Sequence, residues 1–404
     1  MKTVYDVVVV GGGVTGLTFA ALLAQSANAD RLRITLVDAG KRASHATEDG
    51  VALRVSAFAT GSAELLESVG AWRQIADTRA CPYEAMRVWD ETDTPDSPSA
   101  LRFDAAEFAV QQLGFIAENV LVQDALLSVL DATDVDMRFE SSMRSMKRVG
   151  RQFELAFDND SLRADLVVAA DGARSFVRRC AGIEARSWPY DQDAFVTHLR
   201  PEHPHRNTAW QRFLRTGPLG MLPLLDGRIS VVWSVPPELA ATAKKASEED
   251  LGRMLSDASD RVLGELTVEG PRASFPLCAR HAKNYVMPGL ALIGDAAHAV
   301  HPLAGQGANL GLQDAATLTD TISDALASGM HPGDKPVLRR YERGRKGANA
   351  TMLHFMTGLN RLFKADSKLL GELRSTGMRL FNRSGPVRER AVKVALGVGR
   401  QGGR

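Results

Sequence analysis

Apolar residues along this chain follow two alternating periods, and each predicts a different kind of element. Val4–Val10 is a short unbroken β-branched run, as expected of a strand buried on both faces. Val14–Gln25 has the three-to-four spacing of a helix, and Arg33–Val37 is a second strand ending in Asp38, so the chain opens with a βαβ unit. Ser62–Val69 predicts a short helix stopped at Gly70, Val120–Leu130 a longer one, and Ser142–Phe157 a hairpin. Leu166–Ala170 predicts a buried strand leading into Asp171 and Gly172, and the polar stretch Glu91–Ser99 an exposed loop. From Ile183 to Leu277 the period shortens to two. Ala194–Leu199 and Ile229–Val235 alternate, Asp226 and Gly227 mark a turn, and an antiparallel sheet follows, with a helix inserted at Glu248–Leu263. After Ser274 the βα texture returns, and from Tyr341 the pattern is helical with glycine breaks. The prediction is a discontinuous α/β domain (1–75, 101–182 and 278–340), an inserted antiparallel domain (76–100 and 183–277) and a C-terminal helical region (341–404).

Composition removes several alternatives. A chain of 404 residues, 45% hydrophobic and 24% charged, has room for two joined domains and a large core. A net charge of +1 gives no polycation, so a nucleic-acid partner is not expected. The charge is uneven, however. Residues 341–404 hold fourteen Lys and Arg against four Asp and Glu, a net of +10, which leaves −9 on the rest. Such a tail suits an acidic partner or an anionic membrane surface, and equally a solvated helical face. Cys81, Cys180 and Cys278 are odd in number and far apart, without metal spacing, as expected of buried thiols in a reducing compartment. Val7–Ala24 has no charged side chain, but its four glycines and its change of period exclude a membrane span. Asp6 interrupts what would be a signal peptide. The expectation is a cytoplasmic protein.

Three motifs carry chemistry. Gly11, Gly13 and Gly16 form a G-x-G-x-x-G run between a strand and a helix. Gly11 allows the tight turn, Gly13 lets backbone approach a pyrophosphate, and Gly16 lets the helix pack on the strand. Asp38, at the end of the second strand, is placed to accept hydrogen bonds from an adenosine ribose. The second motif is Asp171–Ser175, an acid at a strand's C-terminal end, where such sheets bind ligands, although an ordinary Asp-Gly turn reads the same way. Arg174 and Arg178 beside it suit either phosphate or solvent.

The third motif, Gly294–Gly311, separates FAD from NAD. A strand delivers Asp295 to a turn, then Pro302 and three glycines bring bare backbone to a flat ligand, and a helix begins at once. Its N–H groups and positive dipole end suit the negative charge of a reduced flavin at N1 and O2. In this reading Asp295 binds the ribityl hydroxyls and Pro302 packs near the isoalloxazine. The amides of Gly305, Gln306 and Gly307 face the pyrimidine edge, with Asn309 steadying the helix start. Val14 and Ala308 belong to the same cofactor-binding set. His298 and His301 suit backbone hydrogen bonding that shapes the turn better than proton transfer. The fold class is therefore α/β, with a discontinuous Rossmann-like FAD-binding domain and an inserted antiparallel substrate domain.

These three motifs resemble those of the class A flavoprotein aromatic hydroxylases, which share the para-hydroxybenzoate hydroxylase fold. Arg54–Ala57, Leu113–Asn119, Gly217–Leu219 with Leu222–Leu224, and Phe275–Leu277 are most similar to the ubiquinone-biosynthesis hydroxylases among them. The resemblance covers nearly the whole chain. It implies that Arg54 contacts FAD near the pyrophosphate and Gln123 near the ribityl chain. One departure is Ala52, where the family often has an acid, which removes a polar contact near the cofactor. The resemblance further implies reduction by NAD(P)H without a second nucleotide-binding domain, and no second G-x-G-x-x-G followed by an acid is present. The oxygen donor would be a flavin C(4a)-hydroperoxide formed with O2, and the substrate an aromatic, polyprenylated phenol. Leu222, Pro223 and Leu224 are candidate pocket walls, with core packing an equal alternative, and no general base is evident.

A prenylated substrate lives in the membrane. Leu359, Leu362, Phe363, Leu369, Leu370, Leu373 and Leu380, interleaved with basic residues, suit docking on the inner membrane face or on a biosynthetic-complex subunit. Three other readings remain. Arg200, Arg212 and Arg215 would serve a soluble aromatic acid if they faced the pocket. A halogenase would carry a Trp-x-Trp-x-Ile-Pro run, which is absent. A catalytically quiet FAD-binding subunit would have no need of an intact flavin edge.

Overall fold

The computed structural model describes residues 5–46, 50–301 and 306–364, and beyond them 376–382, 384, 385, 388, 389, 392, 396 and 397. Two sheets organise it. The first has six strands in the order Val286–Met287, Leu290–Leu292, Leu166–Ala169, Tyr5–Val10, Leu32–Val37, Asp136–Arg138. All neighbours run parallel except the first pair. The valine run Val7–Val10 is buried because the Val14–Ala24 helix and a small antiparallel sheet (Ser145–Val149, Gln152–Ala156, Ser161–Ala164) both pack on the parallel sheet, which is why it reads as continuous rather than alternating. The Val14–Ala24 helix follows the first strand and packs against the Gln306–Ala327 helix.

The second sheet has nine strands. Eight lie in the order His298–Ala299, Ala273–Ala282, Ala185–Pro201, Ile229–Val235, Gly217–Pro223, Thr208–Leu214, Ala85–Asp90, Leu101–Asp104, with Leu266–Val268 beside Ala185–Pro201. Its alternation decides what it can do. Leu219, Met221, Ile229, Val231, Trp233 and Val235 point to one face and form a core with the Pro237–Lys245 and Glu248–Ala258 helices. The intervening residues face the other way, toward the first sheet.

Several boundaries differ from the sequence prediction. The Glu248 helix ends at Ala258 rather than Leu263, and Pro237–Lys245 is a separate helix started by a proline in its first turn. Ala273–Ala282 stays in the large sheet across the expected domain boundary at 277, and Leu101–Asp104 pairs with Ala85–Asp90. Among the described residues the last long helix is Lys335–Lys364, which begins before Tyr341 and runs unbroken through Gly344, Gly347 and Gly358. Burial of Leu338, Tyr341, Leu353, Met356 and Phe363 along one side outweighs the roughly 1 kcal/mol that each helix glycine costs.

Part of the C-terminal region packs inward. Phe363 stacks on Phe213 at 3.9 Å, and Met378, Val392 and Leu396 are buried. Leu359 packs on the same cluster, Leu362 is half-buried, and Leu380 and Phe355 are exposed. Leu369, Leu370 and Leu373 lie outside the described residues. No described helix is long and apolar enough to cross a membrane. Cys81 is buried, but Cys180 is exposed and Cys278 partly so, contrary to the expectation of three buried thiols.

Candidate cofactor and substrate site

Between the two sheets lies a cavity of about 660 Å³. The ends of the parallel strands and the loops that follow them form one wall, through Gly13, Val14, Thr15, Gly172 and Asp295. The free face of the large sheet forms the other.

Gly11 and Gly16 behave as the spacing of the glycine loop predicts. Gly11 has φ +116°, and a Cβ there would stand 2.3 Å from the Ala170 carbonyl oxygen. A Cβ on Gly16 would stand 2.0 Å from the Gly11 oxygen, so helix and strand touch backbone to backbone. Gly13 differs, because a Cβ there meets nothing within 4 Å. Its surroundings are open, and it caps the Val14–Ala24 helix, whose first turn has neither a capping side chain nor an acid. An uncapped helix N-terminus opening on a glycine-lined space is where a pyrophosphate fits.

Asp38 braces this loop. Its carboxylate accepts hydrogen bonds from the Gly12 and Gly40 amides at 2.5 and 2.6 Å, and it does not line the cavity. Gln123 does line it, and its Nε2 donates to the Gly12 carbonyl at 3.0 Å. Arg54 is on the cavity wall as well. Asp171 is turned elsewhere. Its Oδ2 accepts from the Phe176 and Val177 amides, so it caps the Phe176–Cys180 helix, and only Gly172 of that turn reaches the cavity. Arg178 is buried and donates to the Ala173 and Ala296 carbonyls, which ties the two acid-bearing turns together. Arg174 is exposed.

Asp295 opens onto the cavity, yet protein encloses the cavity around it. This enclosure pushes its carboxyl above the usual range, against the opposing pull of His298, Arg54 and Arg280. Pro302 and Gly305 lie outside the described residues. The next helix begins at Gln306, and its Gly307 and Ala308 line the cavity. Asn309 is buried. Its Oδ1 accepts from the Ala59 amide and the Ser62 hydroxyl, and its Nδ2 donates to the Ala57 carbonyl, which fixes the helix start against the Val55–Ala59 strand.

The histidines do not both bond backbone as expected. His298 is 2.5 Å from the Asp314 carboxylate. Asp314 is fully buried and also accepts from the Gly294 amide, from Arg345 Nε at 2.6 Å and from Asn349 Nδ2 at 3.0 Å. This group beneath the Asp295 turn was not anticipated from the sequence. His301 lies on the cavity wall, edge-on to Tyr190 at 4.8 Å.

On the sheet side, Leu222 lines the cavity, with Pro218, Gly220, Gln211 and Val232. Pro223 and Leu224 do not. Pro223 alternates to the other face, and Leu224 packs with Ala57, Cys81 and Ile116. Tyr83 also lines it, and burial pushes its pKa up to about 12, so it stays a neutral donor. A second cavity of about 260 Å³, walled mainly by Val51, Val55, Ile116, Leu224 and Leu225, shares Val55 and Ile116 with the first.

The model of the FAD binding domain family matches residues 4–355. The 3-demethoxyubiquinol 3-hydroxylase of Escherichia coli is 34% identical over 397 residues, covering 97% of this chain and 98% of that protein. The mitochondrial ubiquinone biosynthesis monooxygenase COQ6 of Mus musculus is also 34% identical, covering 97% of this chain and 91% of that protein. The chain belongs to the ubiquinone-biosynthesis hydroxylases. A crystal structure of p-nitrophenol 4-monooxygenase PnpA from Pseudomonas putida DLL-E4 superposes with a TM-score of 0.77 over the whole of both chains at 20% identity, a likeness of fold.

As a member of this hydroxylase family the protein is an FAD-dependent oxidoreductase. The cavity suits that cofactor. The open space over Gly13 would take the pyrophosphate, Asp295 lines the cavity and would be free to accept from ribityl hydroxyls, and Gly307 and Ala308 line it at a helix N-terminus.

Proposed function

We propose that this chain hydroxylates the ring of a polyprenylated phenol, with NADH or NADPH as reductant and O2 as oxygen source, as a step of ubiquinone biosynthesis. The observation that carries the substrate class is the uncharged sheet face of the cavity. Arg200 pairs with Glu269 at 2.9 Å, Arg215 with Glu91 at 2.8 Å, and Arg212 donates to the Glu91, Asp257 and Ala258 carbonyls. None of the three lines the cavity, so an aromatic carboxylate has no cation to meet on that side. The second cavity, lined also by Arg79, Glu118 and Asp226, shares Val55 and Ile116 with the first, and its apolar residues suit a hydrocarbon tail.

Bound FAD supplies the redox chemistry that links a nicotinamide, O2 and the ring. The residues of this chain hold and enclose it. Gly13 and the helix behind it receive the pyrophosphate, Arg54 and Gln123 lie along the same wall, and Asp295 orients the ribityl chain. Leu222, Val232 and Pro218 exclude water from the ring, which limits loss of oxygen as hydrogen peroxide. The exposed Phe355 and Leu380, near a basic C-terminal region, support peripheral contact with an anionic membrane.

The test compares a short-tail prenylated phenol with para-hydroxybenzoate under air. The expected result is nicotinamide oxidation matched by hydroxylated product for the phenol, and no product from the acid. Hydroxylation of the acid alone overturns the substrate class.

A further inference from the structure

The cavity face of the large sheet holds a polar group that the cofactor does not use. Gln211 is only 7% exposed, lines the cavity and makes no side-chain hydrogen bond with any described residue. Strand alternation fixes its direction. Trp210 packs on the opposite core beside Trp89, and Arg212 bonds the helix carbonyls on that same far side, so Gln211 between them faces the cavity. A buried primary amide without a protein partner bears a desolvation cost that a ligand must offset.

Directly across the ladder from Gln211 stands Gly220, which in turn stands across from Val232. Neither packing nor backbone conformation requires a glycine here. Its φ is not positive, and an added Cβ would meet only the Val232 carbonyl oxygen, at 3.7 Å. Glycine inside a strand weakens it and marks close approach by a ligand. Ser234, two residues beyond Val232, also lines the cavity, and its hydroxyl makes no hydrogen bond with a described residue.

We propose that Gly220 is the floor on which the aromatic ring of the substrate lies and that the Gln211 amide reads an oxygen substituent of that ring, with Ser234 beside it. This rests on the functional reading above and adds the residue that sets specificity. The amide suits a phenol or quinol better than a bare ring or a carboxylate. Its carbonyl accepts one hydroxyl proton and its N–H groups donate to a neighbouring hydroxyl or methoxyl oxygen. A carboxylate could accept from the same N–H groups but would meet no counter-charge.

The test is an equilibrium titration of the holoprotein with ortho-prenylphenol and with prenylbenzene, which lacks the oxygen. Wild type is expected to prefer the phenol by about tenfold or more, and Gln211→Leu to bind both equally weakly. Gly220→Val is expected to lose binding of both while keeping wild-type FAD content and melting temperature. This second variant also carries the test if Gln211→Leu does not fold. A wild-type preference retained in Gln211→Leu, or wild-type phenol binding by Gly220→Val, overturns the inference and leaves the hydroxylase reading intact. A wild-type protein that neither binds nor hydroxylates any prenylated phenol overturns both.

Discussion

Asp314→Ala is expected to lower the stability of the protein by about 3–5 kcal/mol, the usual cost of leaving a buried charge without its partner. Asp314 is fully buried, and its carboxylate is the common acceptor for His298, Arg345, Asn349 and the Gly294 amide. Truncation strands the Arg345 guanidinium, which is itself buried, and frees the turn that presents Asp295. Denaturant titration of the apoprotein measures the loss, and FAD affinity should fall with it because the turn lines the cofactor cavity.

The same group gives a pH dependence. Burial pushes the Asp314 carboxyl up, but His298 and Arg345 outweigh it, so its folded-state pKa lies below the usual 3.8. A lowered pKa contributes stability that is present above that usual value and lost as pH falls through the folded one. Wild type should therefore lose stability on acidification below about pH 4, and Asp314→Asn should show a flatter profile over the same range. Equal slopes for the two proteins would contradict this assignment.

Gly13→Val should reduce FAD affinity by about a hundredfold or more while leaving the apoprotein's melting temperature unchanged. A Cβ at Gly13 meets no protein atom within 4 Å, so the fold accepts a side chain there. The branched group instead occupies the space above the helix N-terminus and holds a pyrophosphate away from its N–H groups. Gly11→Ala is the contrasting variant. Its Cβ would collide with the Ala170 carbonyl, and its φ of +116° is unfavourable for alanine, so it should impair folding as well as binding. Quenching of flavin fluorescence on titration, alongside thermal melts of both apoproteins, separates the two outcomes.

The sequence was most legible where steric rules leave little choice. A continuous valine run must be buried on both faces, and Gly11 and Gly16 each have a steric reason to be glycine. It was least legible where a side chain has two local partners to choose between. Asp171, at a strand end, had the nearby amides of Phe176 and Val177 available, and their capping geometry directs it away from the cavity. Leu222, Pro223 and Leu224 read as one apolar run, but alternation and the end of the strand leave only Leu222 on the cavity.

The Asp314 group did leave a trace in the sequence. Asp314 sits four residues from both Leu310 and Leu318, on the buried stripe of its helix, and Arg345 follows Tyr341 on the next helix in the same way. An acid and a base on two apolar stripes predict a buried pair if the helices pack together, which only the tertiary structure reveals. Gln211 left no such trace, because an alternating strand tells neither which face is core nor which is cavity.

The proposed reaction transfers an oxygen atom from O2 to a prenylated phenol. The most direct measurement mixes anaerobically reduced holoprotein with isotopically labelled O2 and ortho-prenylphenol in a single turnover, followed by mass spectrometry of the ring product. One labelled oxygen is expected in the hydroxylated ring. Labelled hydrogen peroxide with unchanged phenol would contradict it.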